Sequence, residues 1–419
     1  MKLKFLLLAT LATAGFMSCS QDDKVDPNAT YDASISAVVA PSSETTATKA
    51  STSETPTEGT TGEQLVSRLT AFVFDASGSV VAISDTTNTA NPTVSIDRIK
   101  NIVVKATEAG TAYQLFIVAN LHTADAGLLS KGTLSNIQSA MTASLADETA
   151  SSLTMSSQVL SITVKGKKDI RVYQNYLMNT NGSSIVCGEE NKDNFESLVA
   201  KDNGVKLVRL VARVQLESLK VAFVGGNLEG ASFRLDSAYL VNVKPTSKFL
   251  GSDLTGDGYW NGTKNITVID NLIAPSAIQK GAPYVVVPSP KITLTSGNST
   301  NNPYDFTLAA NSANFLKAYV YENHIAEVIG NTYNTRLVLK GTVILSTGQS
   351  LGTSYYHIII KGVADADYVL RNTIYKVNVT ITGTGSPKED KKSDLNAGIN
   401  AKVTVVPWNV VNQTENDAN

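Results

Sequence analysis

The stretch Val208–Val221, VRLVARVQLESLKV, reads as one long β-strand. Val208, Leu210, Ala212, Val214 and Leu216 fall on one face, and Arg209, Val211, Arg213 and Gln215 fall on the other. A period of two places successive side chains on opposite faces of an extended backbone, whereas a helix would scatter the same residues around its axis. The Gly225-Gly226 pair then supplies a turn and Ser232–Val243 alternates again, which makes a strand-turn-strand unit.

The same pattern continues on either side. Downstream, strands are expected near 283–287, 317–322, 336–346, 353–361 and 373–383, with a tail strand Ile399–Val411 after the charged run Lys388-Glu389-Asp390-Lys391-Lys392. Upstream, Tyr31–Val39 sets Ala33, Ile35, Ala37 and Val39 against Ser34 and Ser36, the signature of a half-buried strand. Strands follow at Leu69–Phe74, Val80–Ile83, 112–119, 160–165 and 170–176. Leu134, Ile137, Met141 and Leu145 recur at helical spacing and predict one principal helix over 134–146. Residues 41–64 carry no large apolar side chain, so a mobile loop is expected there.

A chain of 419 residues is long for a single sandwich. The polar segment 188–204 places a boundary near residue 203. The expected fold is all-β (minor α), with two tandem β-sandwich-like domains at 67–203 and 204–395 and the principal helix in the first. A leader (1–19), a tether with the first strand and loop (20–66) and a tail (396–419) flank them.

Several function classes are excluded early. Lys and Arg number 35 against 37 Asp and Glu, a net charge of −2, and no basic cluster occurs, so nucleic acid is not an expected partner. His122, His324 and His357 lie far apart, and no metal-ligand spacing, nucleophile elbow or phosphate loop is present. No catalysis, cofactor or metal is expected. Asp253 and Asp257-Gly258 lack the alternating spacing of a calcium loop and read as a turn. Of the two cysteines, Cys19 belongs to the leader, so Cys187 has no partner for an intrachain disulfide.

The leader is informative. Met1-Lys2-Leu3-Lys4 is basic, Phe5–Phe16 is almost wholly apolar, and Met17-Ser18 precedes Cys19. This is a secretory signal, too short for a spanning helix, which needs about 20 apolar residues. Phe16-Met17-Ser18-Cys19 resembles a bacterial lipobox, with Phe where Leu is usual. The resemblance implies an acylated Cys19 at the mature N-terminus. The acidic Ser20-Gln21-Asp22-Asp23 resembles the export tag of Bacteroidetes outer-membrane lipoproteins.

From the leader to the tail, the chain resembles the fimbrillin superfamily, the FimA-like subunits of type V pili. VRLVARVQLESLKV with FRLDSAYLVNVKP (Phe233–Pro245) is similar to the pair that opens the family's second domain. AYVYENHI (Ala318–Ile325) resembles its Tyr-x-Tyr-Glu-Asn signature, VLRNTIYKVNVTITGTGS (Val369–Ser386) its Arg-Asn-x-x-Tyr-x-Val strand, and AKVTVVPW (Ala401–Trp408) its close.

The resemblance implies transthyretin-like sandwiches and assembly by strand exchange. A trypsin-like protease removes the first strand, and the tail strand of the next subunit fills the groove. The outgoing strand would present Ile35, Ala37 and Val39. The donor would present Val403 and Val405, then Val406, Trp408 and Val410 after a register shift near Val405-Val406. Two cut sites are open: Lys49, in the expected loop, and Arg68, which fits the family's preference for Arg. The partners implied are further copies of the chain, accessory pilus subunits, the protease, the outer membrane through the lipid, and a host surface ligand. A donor tail is also expected to be dispensable for folding. The alternative is a surface lipoprotein that binds glycan or host protein without polymerising.

Overall fold

Val, Ile and Thr are stiff at χ1 and pack flat on a pleated surface, and they dominate the extended segments. The computed structural model describes residues 26, 28–41, 57–58, 60–91, 93–142, 144–177, 185–187, 192–197, 204–250, 285–296, 303–308, 316–323, 334–360, 369–388 and 398–409. Its first half holds β1 (Tyr31–Pro41), β2 (Thr57–Glu58), β3 (Arg68–Phe74), β4 (Val80–Thr87), β5 (Arg98–Ala106), β6 (Thr111–Ala119), α1 (Leu134–Gln138), β7 (Met155–Ser156), β8 (Leu160–Val164), β9 (Tyr173–Leu177), β10 (Ile185–Cys187), α2 (Lys192–Ser197) and β11 (Val205–Arg209). The second half holds β12 (Val211–Val221), β13 (Ser232–Val241), β14 (Val285–Val286), β15 (Ile292–Thr295), β16 (Tyr304–Asp305), β17 (Lys317–Tyr321), β18 (Arg336–Ile344), β19 (Ser350–Ile359), β20 (Thr373–Ile381) and β21 (Ile399–Asn409). The chain is all-β with minor helix, as expected.

In the first half, one layer runs β10-β9-β1-β5 and a second runs β11-β7-β6-β3-β4, with β8 also on β6. β1 joins the layers, because its last residues Val39–Pro41 pair in parallel with Val205–Leu207 of β11. In the second half, one sheet runs β16-β12-β20-β21-β2 with β17 also on β12, and the other runs β14-β13-β18-β19 with β15 also on β13. A continuous apolar core fills both halves, from Phe72, Phe74 and Phe116 in the first to Phe233, Tyr356 and Tyr375 in the second. The expected boundary at 203 lies just before β11. By strand pairing, the passage to the second sheet system comes at Leu210, between β11 and β12.

Four local expectations need correction. The principal helix is α1 alone, Leu134–Gln138, capped by the Thr133 side chain accepting from the Asn136 amide. Ser and Thr offer the backbone competing hydrogen bonds. Beyond Ser139 the chain turns to the second half instead, where the Thr142 and Leu145 amides donate to the Ser247 and Pro245 carbonyls. Leu145 is still buried, on a separate 3-10 turn, while Met141 is exposed.

β5 escaped notice because Asn101, at φ 60°, inserts a bulge. The buried residues Ile99 and Ile102 are therefore three apart and their alternation is broken. α2 lies in the segment read as polar, and its single inward side chain, Phe195, packs on Tyr176. Finally, residues 57–58 and 60–64 are not loose. β2 pairs with the tail, and Glu63, on a 3-10 turn, is buried completely. The sequence shows nothing apolar there because charge holds it.

Candidate assembly site

β1 is a central strand. Tyr31–Val38 pairs antiparallel with β5, and Ala33–Ala37 pairs in parallel with β9. Ile35, Ala37 and Val39 are buried as expected, but so is the opposite face, with Ser34, Ser36, Val38 and Ala40 at 2% exposure or less. The half-buried expectation fails because both faces of this layer are covered. The two serines are satisfied by neighbours: Ser34 Oγ donates to Gln174 Oε1 at 2.7 Å, and Ser36 Oγ accepts from the Asn101 amide at 3.2 Å.

β21 is held differently. Its whole inner edge pairs antiparallel with β20, from Ile399 opposite Ile381 to Pro407 opposite Thr373. On its outer edge, among the described residues, only Thr57–Glu58 pairs with it, at Trp408–Asn409. At its start, Gly398 (φ 71°) crosses Gly383 so closely that a Cβ on Gly398 would lie 2.4 Å from the Gly383 Cα. The Thr382 and Gly383 amides both donate to the Gly398 carbonyl. Only glycine suits that crossing.

The far end of β21 is anchored by Trp408, which is fully buried. Its ring stacks on Tyr319 of β17 with centroids 6.1 Å apart. The guanidinium groups of Arg209 (β11) and Arg213 (β12) lie 4.9 and 5.2 Å from the ring centroid. Desolvated cation–π contacts of this kind are worth about 2 kcal/mol or more. Two buried arginines require an anion, and Glu63 provides it. Its carboxylate accepts from Arg213 Nη1 at 2.5 Å, Tyr319 Oη at 2.6 Å and the Thr60 amide at 2.7 Å, and lies 2.9 Å from Lys317 Nζ. Its carbonyl accepts from Arg209 Nε at 2.9 Å.

Burial, the largest single influence, pushes the Glu63 carboxyl up, but the Arg213 charge and the Tyr319, Lys317 and Thr60 hydrogen bonds together outweigh it and hold it at about 2. Arg209 is lowered by burial to about 10. The Tyr319 hydroxyl is pushed up, first by burial and then by the Glu63 charge.

The motifs read separately in the sequence converge around this seat. Arg209 Nη1 donates to Oδ1 of Asn372, which sits at φ 54° where a turn or bulge residue was expected. Arg371 pairs with Glu322 at 2.5 Å, both side chains buried. The Asn323 amide and the Val369 amide donate to each other's carbonyls. Tyr321 Oη donates to Glu148 at 2.9 Å, and His122 Nε2 lies 3.7 Å from the same carboxylate, so the two halves also meet there.

Other expected site residues fall as follows. Cys19, Lys49 and Val410 lie outside the described residues. Arg68 begins β3, bonded to Asp85 at 2.6 and 2.9 Å and to the Leu121 carbonyl at 2.8 Å. Val403 is half-buried, opposite Val377, while Val405 and Val406 pair through their backbones with Tyr375 and Ile374. A dispensable tail does not agree with a fully buried Trp408, whose loss would open the seat of two arginines.

Sequence reasoning missed Glu63, Arg209 and Arg213. The signal for the arginines was present, as two cations on one face of a strand too long and apolar to have a wet side. Glu63 left no signal in its own segment.

The profile of the family described as Major fimbrial subunit protein (FimA) matches residues 33–216, which span β1, its slot and the start of β12. The major fimbrium subunit FimA type-5 of Porphyromonas gingivalis is 24% identical over 99% of this chain and 98% of its own length. The chain is similar to FimA-type fimbrial subunits, with the family match covering residues 33–216. Solved structures share this fold: a fimbrilin of Porphyromonas gingivalis (TM-score 0.56, 17% identity, covering 91% of this chain and 99% of that one) is one. Another is a candidate cell adhesion protein of Parabacteroides distasonis (TM-score 0.60, 20% identity, 91% and 98%). The family is one of structural fimbrial subunits, not of enzymes.

Proposed function

We propose that this chain is a shaft-type subunit of a cell-surface pilus, exported as a lipoprotein, cut after its first strand and polymerised by strand exchange. A structural role in a fimbrium and association with other pilus subunits follow from the family. The observation that carries the finer reading is the pairing of two terminal strands of equal length. β1 and β21 each span 11 residues, one in a two-sided slot and the other on an edge.

Acylated Cys19 would hold the precursor at the outer membrane. A trypsin-like cut after Lys49 would leave β1 attached only through its ladders. A cut after Arg68 would fall inside β3, which pairs with both β4 and β6. Once β1 leaves, β5 and β9 each present a free edge along an apolar slot. An extended strand gains main-chain hydrogen bonds on such edges and specificity from alternate side-chain pockets. Refilling the places of Ile35, Val38 and Val39 restores about 1.5–3 kcal/mol for each side chain. The tail strand of another copy, with Val403, Val405, Val406, Trp408 and Val410, has the length and apolar content to do it. A shaft of this kind serves adhesion, with a host surface ligand as the outer partner.

The test is N-terminal sequencing of polymerised protein recovered from cells. The expected first residue is Ala50, with Leu69 for the second cut site. A polymer whose subunits begin at Cys19 would overturn strand removal.

A further inference from the structure

The segment between the proposed cut and β3 has a role that the exchange scheme does not use. β2 is the only strand among the described residues that covers the outer edge of β21, and it does so at Trp408–Asn409. Seven residues of sequence carry the chain from β2 to Val66, which is buried in the core. Between them Glu63 neutralises the cations that grip Trp408. Arg213 touches both the Glu63 carboxylate and the Trp408 ring, Arg209 touches the Glu63 carbonyl and the same ring, and Tyr319 donates to Glu63 while stacking on Trp408. Arg209, Arg213 and Tyr319, the side chains that contact the Trp408 ring, are therefore each also bonded to Glu63. Without that carboxylate, Arg209, Arg213 and Lys317 would stand as like charges in a desolvated seat, an arrangement that strongly disfavours burial.

We propose that residues Thr57–Gln64 are a latch over the tail strand, with Glu63 as its pin, so that releasing β21 is a separate step from cutting the chain. The proposal rests on the strand-exchange reading. The order of the parts gives it consequences. Lys49 precedes the latch, so a cut there frees β1 and leaves the latch in place, tied to β3 through Val66. The cut subunit keeps its own tail closed until Glu63 is withdrawn. An early tail cannot invade its own emptied slot or stray to a wrong partner.

The test is hydrogen exchange on the uncut monomeric precursor, where no polymer forms. With Glu63→Gln, amides of 399–409 are expected to exchange at least about tenfold faster, the scale of one lost hydrogen bond to a charged group. Those of β1, β5 and β9 should keep their rates. Tyr319→Phe, which removes one bond to Glu63 and keeps the ring stack, should give a smaller rise in the same amides and serves if the first variant does not fold. Unchanged tail protection in both variants overturns the latch. So does an equal rise in every strand for both, which makes Glu63 an ordinary core ion pair.

The variants are then followed into polymer assembly on cut protein. A loosened tail with no polymer in either the variant or the parent keeps the latch and counts against strand exchange. Normal polymer with unchanged tail protection keeps strand exchange and removes the latch.

Discussion

β1 and β21 are the same length and both strongly apolar, yet one lies between two ladders and the other on a single ladder with a pinned end. β1 has no weak side: both faces are buried, and β5 and β9 flank it. β21 has a weak edge that, among the described residues, is closed only at Trp408–Asn409. In the proposed strand-exchange scheme, the difference sets a direction. A tail that leaves an edge for a central slot keeps its count of inner hydrogen bonds and adds a second ladder. A first strand that leaves the slot has nowhere equal to go, which is why the proposed scheme removes it covalently. What the tail gives up is local: the stack on Tyr319 and the two arginines over Trp408.

The largest expected effect bears on that local term. Truncation after Asp394 removes β21 and should destabilise the monomeric precursor by at least the about 3–5 kcal/mol typical of deleting a buried Trp side chain. The truncated protein should also fail to polymerise. Urea denaturation with size-exclusion chromatography measures both. A truncated precursor as stable as the full chain would place Trp408 outside the core and erase the contrast between edge and anchor.

The contrast along the strands comes next. Ile35→Ala, in the centre of β1, is expected to cost about 2–5 kcal/mol. Val403→Ala, on the half-buried edge strand, should cost about 1 kcal/mol or less, since partial exposure leaves little cavity. Equal costs in urea denaturation would mean that β21 is covered along its length by a further element.

How legible this was depended on what holds each part. β12, β13 and β20 could be read because each keeps an unbroken period of two over a buried face. β5 could not, since the bulge at Asn101 shifts the parity of Ile99 against Ile102. The helix over 134–146 was overdrawn because its stripe is right but the Ser and Thr between the apolar positions favour competing backbone bonds, and residues beyond Ser139 bond across to 245–247. In the site, the buried Ile35, Ala37, Val39 and Trp408 announced themselves by hydrophobicity. Glu63 did not, because a carboxylate in a segment of Thr, Gly and Glu looks solvated until the arginines it faces are known, and those lie 146 and 150 residues away.

The smallest effect is a pH dependence confined to the tail. The Glu63 carboxyl is lowered from 4.5 to about 2 in the folded chain. A depressed folded value means that the unfolded or unlatched chain binds a proton more readily, so this contribution is fully present above about 4.5 and is lost as pH falls toward 2. At pH 3.5 the loss amounts to about 1.4 kcal/mol, a factor of roughly ten in opening. After correction for intrinsic exchange, amides of 399–409 should therefore lose protection between pH 5.5 and 3.5 by more than those of β1, whose slot holds no buried carboxylate among the described residues. Other carboxylates titrate over the same range, and Glu63→Gln separates them: it should abolish the excess acid loosening of β21 while leaving the loss in β1 as it was. An excess that survives in Glu63→Gln would mean that a different acid closes the tail, and the edge strand would then owe its anchor to something other than the seat of Trp408.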